Sequence, residues 1–317
     1  MNIAVMTSGG DAPGMNAAIR AVVRASIYKG MDVYGIFGGF EGLIEGKIEK
    51  LNLSSVADII QKGGTFLGTS RSKRFETKEG QEEAVKILQV YNIDKVVVLG
   101  GDGSAKGALA LRDHGINTAV IPCTIDNDMG YTESTIGFYT VVETITDAIS
   151  KIRDTTEAHG RANVVEVMGR SCGDLALYAG ISGGAESIIV PEMEADLDEI
   201  AKKMLMGKNR GKRHHIILVA EGAGEGHKVA EDLQSLTGIE TRVTILGYIQ
   251  RGGSPSPVDR IMATSMGVLA VESLSEDKSV AIGIRGGRIF AESIETALRK
   301  KNKFNKKLYE TMKMVSI

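Results

Sequence analysis

The stretch Thr118-Ala119-Val120-Ile121-Pro122-Cys123-Thr124-Ile125-Asp126-Asn127-Asp128 decides how this chain is read. It opens as a short apolar run, the pattern of a strand buried on both faces, and then sets two carboxylates and a hydroxyl at the strand's mouth. One strand earlier, Lys95-Val96-Val97-Val98-Leu99 runs into Gly100-Gly101-Asp102-Gly103-Ser104. Two acid-bearing turns should therefore emerge side by side, where open α/β sheets bind their ligands. Glycine lets a backbone approach a phosphate closely, and an aspartate can hold magnesium on it. Read alone, Asp126 and Asp128 serve equally well as a helix N-cap or in an Asx turn.

Outward from that stretch, apolar strand patterns at 3–6, 33–36, 96–99, 118–121, 164–167, 187–190, 216–220, 243–246 and 280–284 alternate with helix-length amphipathic segments. The alternation predicts βαβ units, an α/β fold and mostly parallel sheets. Glycines at 9–14 lead straight into a helical pattern over 15–29, so strand ends and helix starts should share a crevice. Gly9-Gly10-Asp11 and Gly100-Gly101-Asp102 read as one physical solution used twice.

At 317 residues the chain has room for two domains, and with five prolines and no low-complexity linker its composition marks no boundary. A net charge of −2 with 25% charged residues provides no global field for nucleic acid or an anionic membrane. Phosphate binding must then come from local arginines. No Trp, seven Phe and eight Tyr argue against stacking platforms for single strands. Cys123 and Cys172 are too few for a disulfide framework, no apolar run reaches the ~18 residues of a membrane span, and Met1-Asn2-Ile3-Ala4-Val5 enters a strand without a basic leader. The expected location is the cytoplasm.

Six ordered blocks carry a resemblance: residues 7–16, Gly63-Gly64-Thr65, 100–104, 124–128, Val167-Met168-Gly169-Arg170 and Gln250-Arg251-Gly252-Gly253-Ser254-Pro255. Along nearly its whole length the chain resembles the bacterial ATP-dependent 6-phosphofructokinases. The resemblance implies two Rossmann-like lobes with mostly parallel sheets and an active site in the cleft between them. It places a larger ATP-binding lobe at 1–137 and 251–302, and a smaller fructose 6-phosphate-binding lobe at 138–250 and 303–317. The implied reaction is transfer of the ATP γ-phosphoryl group to the sugar 1-hydroxyl, in glycolysis.

By the same resemblance, Asp126 is the base, Thr124 and Arg170 contact the transferring group, and Asp102 holds Mg2+; Asp128, a second acid in the same loop, orients the sugar or supports metal-bound water. ATP falls to Gly10, Arg71, Ser72, Gly101, Asp102, Gly103, Ser104 and Gly107. Fructose 6-phosphate falls to Thr124, Asp126, Met168, Gly169, Arg170, Glu221, Tyr248 and Arg251, with Arg161 and Arg242 reaching in from a neighbouring subunit. Arginine suits these sites because its planar fork donates two parallel hydrogen bonds to a phosphate.

Arg20 and Arg24 stand four apart on one helix face, where they repel unless an anion sits between them; a solvated face is the plainer reading. The resemblance groups them with Arg153, Gly184, Glu186, Arg210, Lys212, Arg213 and His214 as an effector site between subunits. That site implies activation by ADP, inhibition by phosphoenolpyruvate, Glu186 as a magnesium ligand, and a homotetramer.

The chain departs from the family's usual residues at Phe40 for Tyr, at Lys73-Arg74 and Glu76 on the nucleotide rim, and at Tyr248 for His. Gly160 replaces a Glu found in some relatives, which predicts weak phosphoenolpyruvate inhibition and shallow cooperativity. A pyrophosphate-dependent relative typically carries Asp after Asp102 and Lys before the Thr-Ile-Asp-Asn-Asp block. Here Gly103 favours ATP, and Cys123 matches neither branch. Intact Asp102, Asp126, Asp128 and Arg170 disfavour a non-catalytic regulatory homologue, and no Gly-x-Gly-x-x-Gly after the first strand supports an NAD-binding oxidoreductase.

Overall fold

The structure, a computed structural model, describes residues 1–316. In chain order the elements are β1 (Asn2–Thr7), α1 (Met15–Tyr28), β2 (Asp32–Ile36), α2 (Gly39–Ile44), β3 (Ile48–Leu51), α3 (Lys78–Val90), β4 (Lys95–Gly100), α4 (Asp102–Asp113), β5 (Asn117–Pro122) and α5 (Phe138–His159). There follow β6 (Ala162–Val167), α6 (Asp174–Ser182), β7 (Ser187–Ile189), α7 (Leu197–Asn209), β8 (His215–Ala220), α8 (Gly226–Thr237) and β9 (Thr241–Ile245). The chain ends with α9 (Pro257–Ser275), β10 (Val280–Arg285), β11 (Arg288–Glu292), α10 (Ile294–Arg299) and α11 (Lys306–Val315). It divides into two compact units, Met1–Thr140 with Arg251–Asn302, and Val141–Gln250 with the segment from Lys303 on.

The first unit is built on a seven-stranded sheet in the order β11-β10-β5-β4-β1-β2-β3. Its central strands run parallel, and β4 is buried at all six positions, as a strand covered by helices on both faces must be. Each fully buried Val or Leu there contributes about 1.5–3 kcal/mol. The chain leaves β1 toward β2 on one side and returns as β4 on the other, so the strand order reverses between β1 and β4. Helix α9 lies close against α1 because Gly267 carries no side chain: a Cβ there would stand 2.7 Å from Ala21 Cβ.

Two buried charged residues fix the ends of these elements. Lys95 Nζ, at the start of β4, reaches Asp277 Oδ1 at 2.5 Å and Asp94 Oδ2 at 3.2 Å. Asp259 is fully buried in the first turn of α9, where Ser256 caps the helix and Pro257 opens it. Its carboxylate accepts from Gly137 N at 3.0 Å, Thr140 N at 2.8 Å and Thr140 Oγ1 at 2.5 Å. That bond set takes up amide donors that the start of α5 would otherwise leave unmet. It also ties Gly137 and Thr140 to α9 within the first unit, whose first segment ends at Thr140.

The second unit has an all-parallel sheet in the order β7-β8-β6-β9. Ala162 and Val164 of β6 and Ile217 and Val219 of β8 pack with Met204 and Leu233 of the flanking helices to form its core. Lys203 of α7 donates to Ser316 Oγ at 2.9 Å, tying down the segment after α11.

All nine strand patterns read from the sequence are strands, shifted by one or two residues at their ends. The two strands that the apolar patterns miss are β3 and β11, the antiparallel edges of the larger sheet. Both carry charges, Glu49 and Lys50 in the middle of β3 and Arg288 and Glu292 at the ends of β11, as edges do when they resist pairing with other chains. Gly286-Gly287 between β10 and β11 is a hairpin signal that would have found the second. Among the described residues no helix is long and apolar enough to cross a membrane.

Candidate active site

The turns after β1 and β4 face each other at the point where the strand order of the larger sheet reverses. Ser8 N donates to Leu99 O at 2.9 Å, and Ser104 Oγ reaches back to Ser8 O at 3.0 Å. Gly100 makes this approach possible: a Cβ there would lie 2.3 Å from Ser104 Oγ and 2.5 Å from Ser8 O. Helix α4 starts at Asp102 with Gly101 as N-cap and no side chain capping it, so its first amides are free to take an anion. Ser104 contributes an amide there, because its hydroxyl is committed to Ser8. Around Gly103 nothing lies within 4 Å of where a Cβ would stand.

Asp102 is half exposed and sits 2.5 Å from Lys106 Nζ. Among the described residues no three His, Cys, Asp or Glu side chains form a metal cage. Magnesium usually keeps several waters and takes one or two carboxylates plus substrate phosphates. A single reachable carboxylate beside an anion-binding helix start fits that demand.

Gly107 lies on the outer turn of α4 against Phe40, whose Cζ would be 2.4 Å from a Cβ at 107. Phe40 is buried and stacks on Phe75 at 4.1 Å between ring centroids. The missing Tyr hydroxyl is thus replaced by an apolar stack. Ser72 Oγ donates to Glu41 Oε2 at 2.5 Å and accepts from Phe75 N at 3.0 Å, so its side chain braces the loop. Arg74 pairs with Glu83 at 2.5 Å and lies 3.7 Å from Glu41, while Arg71 is exposed.

On the neighbouring strand end, Asp126 N donates to Thr124 Oγ1 at 3.2 Å, and Thr124 Oγ1 lies 3.4 Å from Asp126 Oδ2. No helix begins between the end of β5 and Phe138, which removes the N-cap reading of Asp126 and Asp128. The β4 and β5 turns touch: a Cβ on Gly101 would be 3.8 Å from Thr124 Cβ. Cys123 is buried, and burial pushes its thiol well up, which makes it a core residue. Arg251 lies over Gly10, its Nη1 2.8 Å from where a Cβ would stand, and 3.5 Å from Asp11 Oδ1.

In the second unit, the carboxyl ends of β6 and β8 bring together Met168, Gly169, Arg170 and Glu221. Arg170 has a left-handed backbone, φ 52°, uncommon outside glycine, and its N–H donates to Glu221 Oε1 at 2.7 Å. Met168 N donates to Gln250 Oε1 at 3.1 Å. Gln250, fully buried, thus orients this turn, a role its position in the Gln-Arg-Gly-Gly block did not disclose. Tyr248 stands out at 82% exposure. Arg161 and Arg242 lie at the opposite, amino end of the same sheet. There they share Glu240 Oε1, at 3.4 Å from Arg161 Nη1 and 2.6 Å from Arg242 Nη2. The length of β6, about 16 Å at roughly 3.3 Å per residue, separates them from the 168–170 turn.

The same amino end gathers most effector candidates. Arg153 Nη2 donates to Gly183 O and Gly184 O, both at 2.7 Å. Burial alone would raise the Glu186 carboxyl, but Lys212 Nζ at 2.6 Å and Ile216 N at 2.6 Å hold it below the usual carboxylate value. His214 Nε2 lies 3.5 Å from Glu186 Oε1, and Arg213 Nη2 donates to Ala158 O at 3.3 Å. Arg210 is exposed at the end of α7. Arg20 and Arg24 are on α1 of the other unit, and neither enters an ion pair among the described residues.

The phosphofructokinase family model matches residues 2–274. The chain is similar to ATP-dependent 6-phosphofructokinases from Finegoldia magna, 55% identical, and Alkaliphilus metalliredigens, 57% identical, each alignment covering 99% of both chains. It is similar to a solved phosphofructokinase from Saccharomyces cerevisiae, with a TM-score of 0.92 and 36% identity over 98% of this chain; the chain spans 50% of that one. A pyrophosphate-dependent phosphofructokinase from Marinobacter aquaeolei, 20% identical with a TM-score of 0.84 over 96% of this chain and 85% of its own, shares the fold.

Acid should weaken the second unit through His215, a group that sequence reasoning passed over. Burial first, then Lys212, Lys203 and His214, push its imidazole down from 6.5 to about 4, against the pull of Glu186. Below pH 6.5 the unfolded chain takes a proton that the folded one refuses, so stability falls from there to pH 4, by up to ~1.4 kcal/mol per pH unit. Glu186 starts as an anion where His215 starts neutral, yet shows the same trend, its contribution vanishing as pH drops through its lowered value. His215→Gln should flatten the urea midpoint against pH between 6.5 and 4.

Proposed function

This chain belongs to the phosphofructokinase family and phosphorylates fructose 6-phosphate with ATP, and from that premise we propose how its residues divide the reaction. Asp126 takes the proton from the sugar 1-hydroxyl as the γ-phosphoryl group arrives. Thr124 and Arg170 hold the transferring oxygens, and Asp128 orients the sugar or supports metal-bound water. The observation that carries this reading is the contact between the two strand-end turns: Gly101 meets Thr124, so the phosphate-binding start of α4 and the carboxylate of Asp126 serve one reacting group. Catalysis of phosphoryl transfer is mostly positioning and charge stabilisation, which such an arrangement supplies.

ATP lies against the amides of 101–104 with Gly10, Gly107, Arg71 and Ser72 around it. Asp102 would hold Mg2+, which screens the phosphate charge. Met168, Gly169, Arg170, Glu221, Tyr248 and Arg251 receive the sugar. Arg161 and Arg242 bind the 6-phosphate of a neighbouring copy's substrate. Supporting this, they stand at the end of their sheet opposite the 168–170 turn, about one strand length away. A site that needs two copies implies a closed oligomer, here a homotetramer working in the cytoplasm. ADP and phosphoenolpyruvate act through Arg153, Gly184, Glu186, Arg210, Lys212, Arg213 and His214, completed by Arg20 and Arg24 of another copy. Gly160, with φ 66° and open space around it, brings no negative charge near Arg161, so inhibition by phosphoenolpyruvate should be weak.

Asp126→Asn should leave the KM of both substrates near wild type while kcat falls ~10²- to 10⁴-fold, as loss of a general base does; steady-state kinetics on the purified variant reads this directly. Gly103→Asp meets no steric obstacle, so its effect isolates charge: the KM for ATP should rise, since a carboxylate near the α-phosphate repels it, with the KM for fructose 6-phosphate unchanged. Replacing Arg20 and Arg24 together by Ala should abolish the response of fructose 6-phosphate saturation curves to ADP and phosphoenolpyruvate. Each lost charge-assisted bond removes about 1.5–3 kcal/mol of effector binding.

A further inference from the structure

We propose that Thr135 and Asn127 are positioning residues that staple the 124–128 turn at two points and so aim Asp126 at the sugar hydroxyl; the proposal rests on Asp126 being the base. Thr135 is fully buried, and its Oγ1 donates to Thr124 O at 2.6 Å. Its N–H donates to Asn127 Oδ1 at 3.0 Å, and Asn127 Nδ2 donates to Glu133 O at 3.3 Å. The Thr124 carbonyl before Asp126 and the Asn127 side chain after it are therefore tied to one residue. Only Ile125 and Asp126 lie between the two ties.

Thr135 is itself anchored. Next to it, Ile136 N donates to Pro122 O at 2.9 Å, and Cys123 bridges Ile136 in parallel fashion. Gly137 N then donates to Asp259 at 3.0 Å. The staple thus connects the acid turn to the end of β5 and to the buried carboxylate of α9. Asn127 has a left-handed backbone, φ 54°, a conformation in which asparagine is enriched among non-glycine residues. The turn therefore stores a conformation that its side-chain bonds maintain, the condition under which strain persists at a working site. Displacing a catalytic group by about 1 Å can cost ~10²-fold in rate.

The experiment compares Thr135→Val, which keeps shape and deletes the hydroxyl, with Thr135→Ser, which restores it. Asn127→Gly keeps access to the left-handed backbone and deletes the amide, and it decides the matter if Thr135→Val does not fold. Thr135→Val and Asn127→Gly should each lower kcat roughly 10- to 100-fold with both KM values within about threefold of wild type. Thr135→Ser should recover most of the rate. The acid limb of kcat against pH should move upward, because a slackened turn takes the Thr124 hydroxyl away from the Asp126 carboxylate. Added to Asp126→Asn, Thr135→Val should cost no more than about a further twofold, since aiming an absent base has no effect. A merely structural role would lower the Tm of Thr135→Val and leave kcat, the pH profile and the double variant's additivity as independent sites give them; that result overturns the staple. If Asp126→Asn collapses while Thr135→Val and Asn127→Gly turn over normally, the staple alone is wrong. If Asp126→Asn keeps wild-type turnover, the base assignment falls and the staple with it.

Discussion

Parallel strands all end on the same side of a sheet, and the chemistry of this chain depends on that constraint. β1, β4 and β5 are neighbours in the larger sheet, so the turns that follow them meet without any long loop to bring them together. Because the strand order reverses between β1 and β4, the connections leave in opposite directions and a crevice opens at the strand ends. The glycines of 100–103 and the carboxylates of 126 and 128 are useful only because that geometry presses one turn on the other. At Gly100, where a side chain would collide with Ser8 O and Ser104 Oγ, the fit allows no substitute.

Buried polar groups then fix what hydrophobic packing leaves free. Burying a Val is favourable without regard to direction, but an unmet buried donor costs about 1–3 kcal/mol, so each polar group has few acceptable places. Asp259 shows the effect, gathering Gly137, Thr140 and Ser256 around one carboxylate and fixing where α5 departs. Glu186 shows it at the second sheet, a buried carboxylate kept ionised by Lys212 and the amide of Ile216. In both places the bond set is dictated by what would otherwise be left without a partner.

The second sheet separates two kinds of residue by its own length. Its carboxyl end carries 168–170 and Glu221, while its amino end carries Arg161, Arg242 and the Glu186, Lys212 and His214 cluster. A phosphate held at one end is therefore about a strand length from the arginines at the other. The effector candidates share their end with Arg161: Arg213 donates to Ala158 O, and His214 stands 3.8 Å from Glu157, three to four residues before it.

The sequence by itself determined the α/β class, nine of the strands and the turns that could carry chemistry, because apolar strand runs and the need for glycine leave marks within a few residues. It did not disclose β3, since a charged edge strand has no apolar run to betray it. Nor could it show that the hydroxyls of Ser72 and Ser104 are spent on Glu41 and Ser8, which lie 31 and 96 residues away in the chain. The role of the buried Gln250, and the buried His215 and Thr135 altogether, stayed hidden for the same reason. Each is an ordinary residue whose importance comes from which distant atoms surround it, and only the packing of the chain on itself decides that.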